Sequence, residues 1–274
     1  MSLAPSSATY LASAIRNHSP EHESFQKFYE YWLTEQNNHL QDLISAANST
    51  PDEPTLCSLI DRVLKHYEDY YKAKAMWSKH DVLAMLTPSW RSSLEEAFLW
   101  IGGWRPSMAF HLLYSKSGLQ LEATAGSVGG WLKGMTMARD LASLSPGQLS
   151  RLDESQKKTI KEEKDITEKM AKKQEKVAGP DMVELSHLVT ERIMSQGEPA
   201  DQTEPNRVES VLVPKERGLE EVLQRADDLR LRTLKGVIEV LTPDQAVHFL
   251  IAAAELHLRL HEWGRKRDAD HSHH

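Results

Sequence analysis

Apolar residues recur along this chain at three- and four-residue steps and almost nowhere at alternate positions, which is the spacing of one face of an α-helix. The series Phe25, Phe28, Tyr29, Trp32, Leu33, Leu40, Leu43 and Ile44 follows it, and Leu56, Leu59, Ile60, Val63, Leu64 and Tyr67 repeat it in the next segment. A polar residue followed by proline punctuates the chain at Ser19-Pro20, Thr50-Pro51, Thr87-Pro88, Ser145-Pro146 and Thr242-Pro243. Each pair sets a helix cap before a proline whose missing N–H is not needed in the first turn. Glu53, Gln148 and Gln245 stand three residues after three of these caps, the spacing of a reciprocal capping box. The pattern predicts an all-α protein, a single helical domain of roughly seven to nine helices.

Residues 148–178 predict the longest helix, with acids and bases interleaved around a thin stripe of Leu149, Leu152, Ile160, Ile166, Met170 and Val177. Such a helix lays one face on a core and exposes charges paired at i,i+4. Two stretches lack the helical signal. Gly126–Gly134 (GSVGGWLKG) is expected to be a loop, and 195–218, rich in Pro, Gly and acid, a disordered insertion. The domain is therefore expected over 25–264, with a flexible N-terminus at 1–24 and a flexible tail at 265–274.

Composition removes several classes of function. The chain has 274 residues, 40% hydrophobic and 27% charged. No apolar run approaches the roughly 18 residues of a membrane span. A net charge of −7 argues against coating nucleic acid through the bulk field. The single cysteine, Cys57, excludes an internal disulfide and a cysteine-based zinc site, and its apolar neighbours predict a buried core thiol. No signal peptide is evident, which predicts a reducing compartment. No phosphate loop, nucleophile elbow, zinc-protease helix or calcium loop is present, so a non-enzymatic protein is expected.

Three segments carry the candidate chemistry. In Glu95–Ser115 an apolar helix is expected to end at Gly102-Gly103, and Trp104-Arg105-Pro106-Ser107 to open another, making a buried corner with Trp100, Trp104 and Phe110 as core. Arg105 is there either as a paired structural residue or as a ligand contact. In the C-terminal helix, His257 and His261 are four residues apart and project from one face. That pair suits a metal or heme ligand, or two half-buried histidines satisfied by hydrogen bonds. On the first helix Tyr29, Trp32, Leu33 and Gln36 share a face, as core anchors or as a partner surface.

Five blocks taken in order, FYEYWLTEQNNHLQDL, HYEDYYKAKAMWSKHDVLAML, RSSLEEAFLWIGGWRPS, LSPGQLSRLDESQKKTIKEEKDITEKMAKKQE and RADDLRLRTLKGVIEVLTPDQAVHFLIAAAELHLRLHEWG, resemble the plant Delay-of-Germination domain from about Phe25 to Gly264. The same domain forms the C-terminal part of TGA bZIP transcription factors. A TGA factor reads DNA through a basic helix and zipper before this domain. Residues 1–24 hold one Lys or Arg, Arg16, and no heptads, so direct DNA binding is not expected.

The chain thus resembles the zipper-less branch. The resemblance implies a nuclear and cytoplasmic regulator of seed dormancy in abscisic-acid signalling that binds heme and a clade A type 2C protein phosphatase. It implies heme binding at His257 and His261 and phosphatase contact at Tyr29, Trp32 and Gln36; because both histidines project from one helix face, one is expected to ligate and the other to support it or contact a propionate. Phe28 and Tyr31 depart from the namesake's pattern in that segment. A TGA-like transcription co-regulator, a helical scaffold without heme, and a homodimer are the alternatives it leaves open.

Overall fold

The computed structural model describes residues 21–49, 51–125, 141–194 and 203–272. Its helices are α1 (Glu21–Ser49), α2 (Glu53–Trp77), the short α3 (Val82–Leu86) and α4 (Ser93–Ala97), α5 (Met108–Ala125), α6 (Pro146–Glu175), α7 (Pro180–Met194), α8 (Thr203–Val240) and α9 (Pro243–His271). Single 3-10 turns lie at Leu141–Ser143 and Lys176–Ala178, and there is no β-strand among the described residues. The all-α expectation holds. The glycine-rich loop expected at Gly126–Gly134 lies outside the described residues.

Two of the expected capping boxes form, Ser145 with Gln148 at α6 and Thr242 with Gln245 at α9. They are also joined to each other. Gln148 Nε2 donates to Gln245 Oε1 at 2.7 Å and to the Val240 carbonyl at 3.0 Å, tying the starts of two helices to the end of a third. At α2 the N-cap is Asp52, with no side-chain cap bond, and Thr87 is the C-cap of α3 rather than the start of a helix. A further box, Ser92 with Glu95, starts α4 without a proline to announce it.

The expected disordered insertion is corrected over 203–218, which forms the first part of α8. Its few apolar groups are offset by polar anchors. Lys215 Nζ donates to Asp181 Oδ2 at 2.6 Å and to the Lys176 carbonyl at 3.3 Å, and Lys173 pairs with Glu221 at 3.7 Å. The helix absorbs Pro214 in its interior. The flexible tail is corrected likewise, because α9 continues to His271. Asp268 holds it down by accepting the Ser93 N–H at 2.9 Å and the Ser93 hydroxyl. At the other end α1 begins at Glu21, within the expected flexible N-terminus.

The core has two connected parts. Leu43, Val63, Phe110, Leu113, Val237 and Leu250 fill one, between α1, α2, α5, α8 and α9. Phe25, Phe28, Tyr29, Trp32, Trp77 and Trp90 form an aromatic cluster at the other. Helix α6 lies along α8, burying Leu152, Thr159, Glu163 and Ile166, while Leu149, Ile160 and Val177 of the expected stripe are exposed. Cys57 is exposed, correcting the expected core thiol. Each residue turns the helix by about 100°, so burial of Leu56 and Ile60 rotates position 57 outward.

The expected corner is a tight reversal rather than a helix running to the glycines, since α4 stops at Ala97. Trp100 and Gly103 exchange backbone hydrogen bonds of 2.8 and 3.3 Å. Gly102 has φ +68°, and a Cβ there would lie 2.5 Å from the Met85 carbonyl. Buried cations line up on the reversal's carbonyl oxygens. Lys74 Nζ donates to Gly102 at 2.8 Å, and the fully buried Arg230 donates to Trp104 at 2.6 Å, Ile101 at 2.9 Å and Trp100. Asp227 accepts from both cations.

Arg105 is the paired structural residue of the two alternatives. Its Nε donates to Glu163 Oε2 at 2.8 Å, and the same carboxylate accepts the Ser107 N–H and hydroxyl. Phe110 is core, but Trp100 and Trp104 are only half-buried. Their indole N–H groups donate to Thr167 Oγ1 at 3.0 Å and to Tyr71 Oη at 2.8 Å.

Candidate functional site

Between the aromatic end of the core and the corner lies a cavity of about 340 Å³. Helix α1 supplies Trp32, α2 supplies Tyr67, Tyr70 and Tyr71, and α9 supplies Phe249, Ala253 and His257. The α4 region contributes Arg91, Glu95 and Phe98, and α5 contributes Met108, Ala109 and Leu112. Its lining is mostly apolar and aromatic, with a few polar groups, which is the usual character of a small-molecule site. Phe98 is 62% exposed and Leu256, another lining residue, 43%, so bulky apolar side chains stand at its mouth. A second groove, of about 510 Å³ between the end of α1 and the start of α2, is open, mixes polar and apolar walls, and holds none of the candidate residues.

The two candidate histidines diverge. His257 lines the cavity; its Nε2 is 3.3 Å from the Tyr29 hydroxyl and its ring lies 5.4 Å from Trp32. Burial, reinforced by the positive charge of Arg91, pushes its imidazole down to about 4, so it is neutral at physiological pH. Burial pushes the Tyr29 phenol up, so that group keeps its proton. His261 does not line the cavity. Its Nδ1 is 3.0 Å from Glu95 Oε2, and its ring meets Tyr29 edge-on at 6.1 Å.

Glu95 is held by its own helix start. The Ser92 N–H and hydroxyl donate to Oε2 at 2.9 and 2.7 Å. Burial alone would raise this carboxyl, but hydrogen bonds from His261 and Ser92 outweigh it and hold it at about 2. The chain His261–Glu95–Ser92 thus fixes α9 against α4 beside the cavity.

Tyr29, Trp32 and Gln36 share a face, as the sequence predicts, but that face is core. They are 1, 2 and 1% exposed, which corrects the expected partner surface. Trp32 stacks on His66 at 4.6 Å and donates its indole N–H to the His66 carbonyl; Gln36 Nε2 donates to Tyr67 Oη at 2.8 Å. The aromatic density that suggested a contact site is what the interior between α1 and α2 requires.

Sequence reasoning missed Arg91. It lines the cavity, and its guanidinium lies 5.8 Å over the Tyr29 ring. Among the described residues the guanidinium makes one hydrogen bond, a long one of 3.5 Å to Tyr70 Oη, and its buried Nε has no acceptor. Among the described residues no group of three or more His, Cys, Asp or Glu side chains forms a metal site, and no helix is long and apolar enough to cross a membrane.

A family model for seed dormancy control, DOG1, matches residues 39–115. The chain is 32% identical over 250 residues to Protein DOG1-like 4 of Arabidopsis thaliana, covering 89% of this chain and 94% of that protein. It is 32% identical over 256 residues to Protein DOG1-like 3 of the same plant, covering 90% and 86%. It is also 26% identical over 243 residues to the TGACG-sequence-specific DNA-binding protein TGA-2.1 of Nicotiana tabacum, covering 86% of this chain but 45% of that protein. The five sequence blocks, the helical fold and these relatives agree: the chain belongs to the DOG1 family of seed dormancy control.

Proposed function

We propose that this protein is a non-enzymatic regulator in dormancy signalling whose aromatic cavity takes heme through His257 and whose state is read by a protein partner, a clade A type 2C phosphatase. The observation that carries it is a neutral imidazole in the wall of an apolar cavity. Neutral imidazole is the form that ligates iron. A single neutral histidine in an apolar wall is the donor needed by a metal that brings its own ring of ligands. When bound, heme supplies an iron centre responsive to redox state and to small axial ligands.

The chain's own residues divide the work. His257 would hold the iron, Trp32 and Phe249 would exclude water, and Tyr29, 3.3 Å from Nε2, would set the ring orientation of His257. His261 is the positioning residue, because Glu95 already engages it and it stands outside the cavity wall. His261 faces Glu95 and not the cavity, so His257 is the residue of this pair that would hold the group.

Titration of the purified chain with hemin, followed by absorption, tests this reading. Wild type is expected to saturate with a sharpened Soret band, His257→Ala to lose it, and His261→Ala to keep it with weaker affinity. Identical weak spectra for all three overturn the heme reading. Capture of the phosphatase by the full chain, with and without hemin, tests the partner.

The similarity to TGA-2.1 favours a second reading, a co-regulator that joins transcription complexes in the nucleus through the shared domain. Co-precipitation with a TGA factor, without DNA binding by this chain alone, is the result that reading requires.

A further inference from the structure

We propose that Arg91 is the carboxylate anchor of the aromatic cavity, which makes the cavity a site for apolar organic acids. This rests on the cavity being a ligand site and does not depend on iron.

A guanidinium carries five N–H donors and a fixed charge, and buried guanidinium groups are normally paired with carboxylates. Arg230, at the corner, behaves that way, with Asp227 and three carbonyl oxygens around it. Arg91 does not. No carboxylate among the described residues forms an ion pair with it; it has only the long bond to Tyr70 and the face of Tyr29, and its Nε is buried without an acceptor. Leaving a buried charged donor unmet is costly unless something else meets it.

The neighbouring acid does not fill that role. Glu95 also lines the cavity, but its Oε2 is taken by Ser92 and faces His261, and its Oε1 has no hydrogen-bond partner. The Glu95 charge favours the Arg91 guanidinium from a distance, but no hydrogen bond or ion pair joins the two, so Arg91 keeps donors for a carboxylate that enters the cavity. Away from these two residues the walls are Leu112, Leu234, Phe249 and Ala253, which suit an apolar body. The exposed Phe98 and Leu256 offer that body a way in. A carboxylate on Arg91 would form charge-assisted bonds in a site shielded from water, where such bonds are strongest.

The test is a fluorescence titration of the full chain with 11-(dansylamino)undecanoic acid, its methyl ester and its primary amide. Saturable binding of the acid is expected, with the ester and the amide about tenfold to a hundredfold weaker. Arg91→Gln is expected to bring the acid down to the ester's affinity, and Arg91→Lys to retain most of it. Ala253→Phe, which fills the cavity, should remove all three. Equal affinity of wild type for acid, ester and amide overturns the proposal, and so does full acid affinity in a folded Arg91→Gln. Should Arg91→Gln fail to fold, the acid-to-ester ratio in wild type decides alone.

Competition with dodecanoic acid and with 2-naphthoic acid separates a flexible from a planar body. Displacement by either supports the anchor; displacement by neither overturns it. The two readings fail separately: loss of the hemin spectrum in His257→Ala reports the heme site, while the acid-to-ester ratio of wild type reports the anchor. Hemin binding by a wild type that treats acid and ester alike would sink the anchor and spare the heme site.

Discussion

His261 Nδ1 lies 3.0 Å from Glu95 Oε2, so a residue in the middle of α9 meets the capping carboxylate of α4 across 166 positions of sequence. The same oxygen receives the Ser92 N–H and hydroxyl, so one carboxylate closes a helix start and a long-range contact together. Glu95→Gln keeps the shape but removes the charge. It is expected to cost about 2 kcal/mol, the scale of hydrogen bonds to a buried charged group. Chemical denaturation at pH 7 measures it, and a loss below about 0.5 kcal/mol would mean the charge is immaterial there.

Trp32→Ala should behave as a core deletion. Trp32 stacks on His66 and touches the rings of Tyr29, Tyr67, Tyr70 and His257. The expected loss is about 3–5 kcal/mol, typical of removing a large buried aromatic ring. Any loss of partner capture by this variant should therefore track its unfolding. Wild-type stability together with lost capture would restore the surface reading of this face.

Neutral buried histidines make the fold acid-sensitive. Burial, with His39 and His257 nearby, pushes His66 down to about 3, and burial with Arg91 nearby pushes His257 to about 4. In the unfolded chain both titrate near 6.5. Between those values the unfolded state binds more protons. The stabilisation is complete above about pH 6.5 and is lost as pH falls toward 4 for His257 and 3 for His66. The expected slope is up to about 1.4 kcal/mol per pH unit for each group. Urea midpoints from pH 7 to 4 should fall accordingly, and His66→Asn should flatten the curve; an unchanged slope in that variant would remove His66 from the account.

Gly264 is where α9 lets α4 approach. A Cβ there would lie 2.0 Å from Ser92 Oγ and 2.6 Å from Ser92 Cβ. Gly264→Ala gains about 1 kcal/mol of helix propensity but forces the Ser92–Glu95 box away. Overpacking of this kind costs about 1–3 kcal/mol, and contact with a backbone-proximal Cβ puts this case at the upper end. Net destabilisation is expected in thermal melts. A stabilised variant would mean the α4 start can shift freely.

The helices were legible because they repeat a local rule. Spacing along α1 and α2, and Ser145 with Gln148 or Thr242 with Gln245, need only neighbours to be read. The start of α4 escaped because Ser92 has no proline after it, and the first part of α8 because Pro214 and its acids look incompatible with packing. That segment is held instead by Lys215 reaching to α7 and the turn before it, and by Lys173 reaching from α6 to Glu221 of α8, contacts that no local window contains. The cavity was invisible for the same reason. Its walls are ordinary apolar residues from five helices, and Arg91 stands out only once every possible partner is seen to be elsewhere.

The reversal between α4 and α5 also limits how this protein can be engineered. In the sequence, a turn with two glycines looks like a convenient place to splice in a tag or a reporter. Here the turn serves through its carbonyl oxygens, four of which are acceptors for Lys74 and Arg230. One residue added or removed between Trp100 and Trp104 would move several of those oxygens at once and strand two buried cations. Changes of length belong elsewhere in the chain.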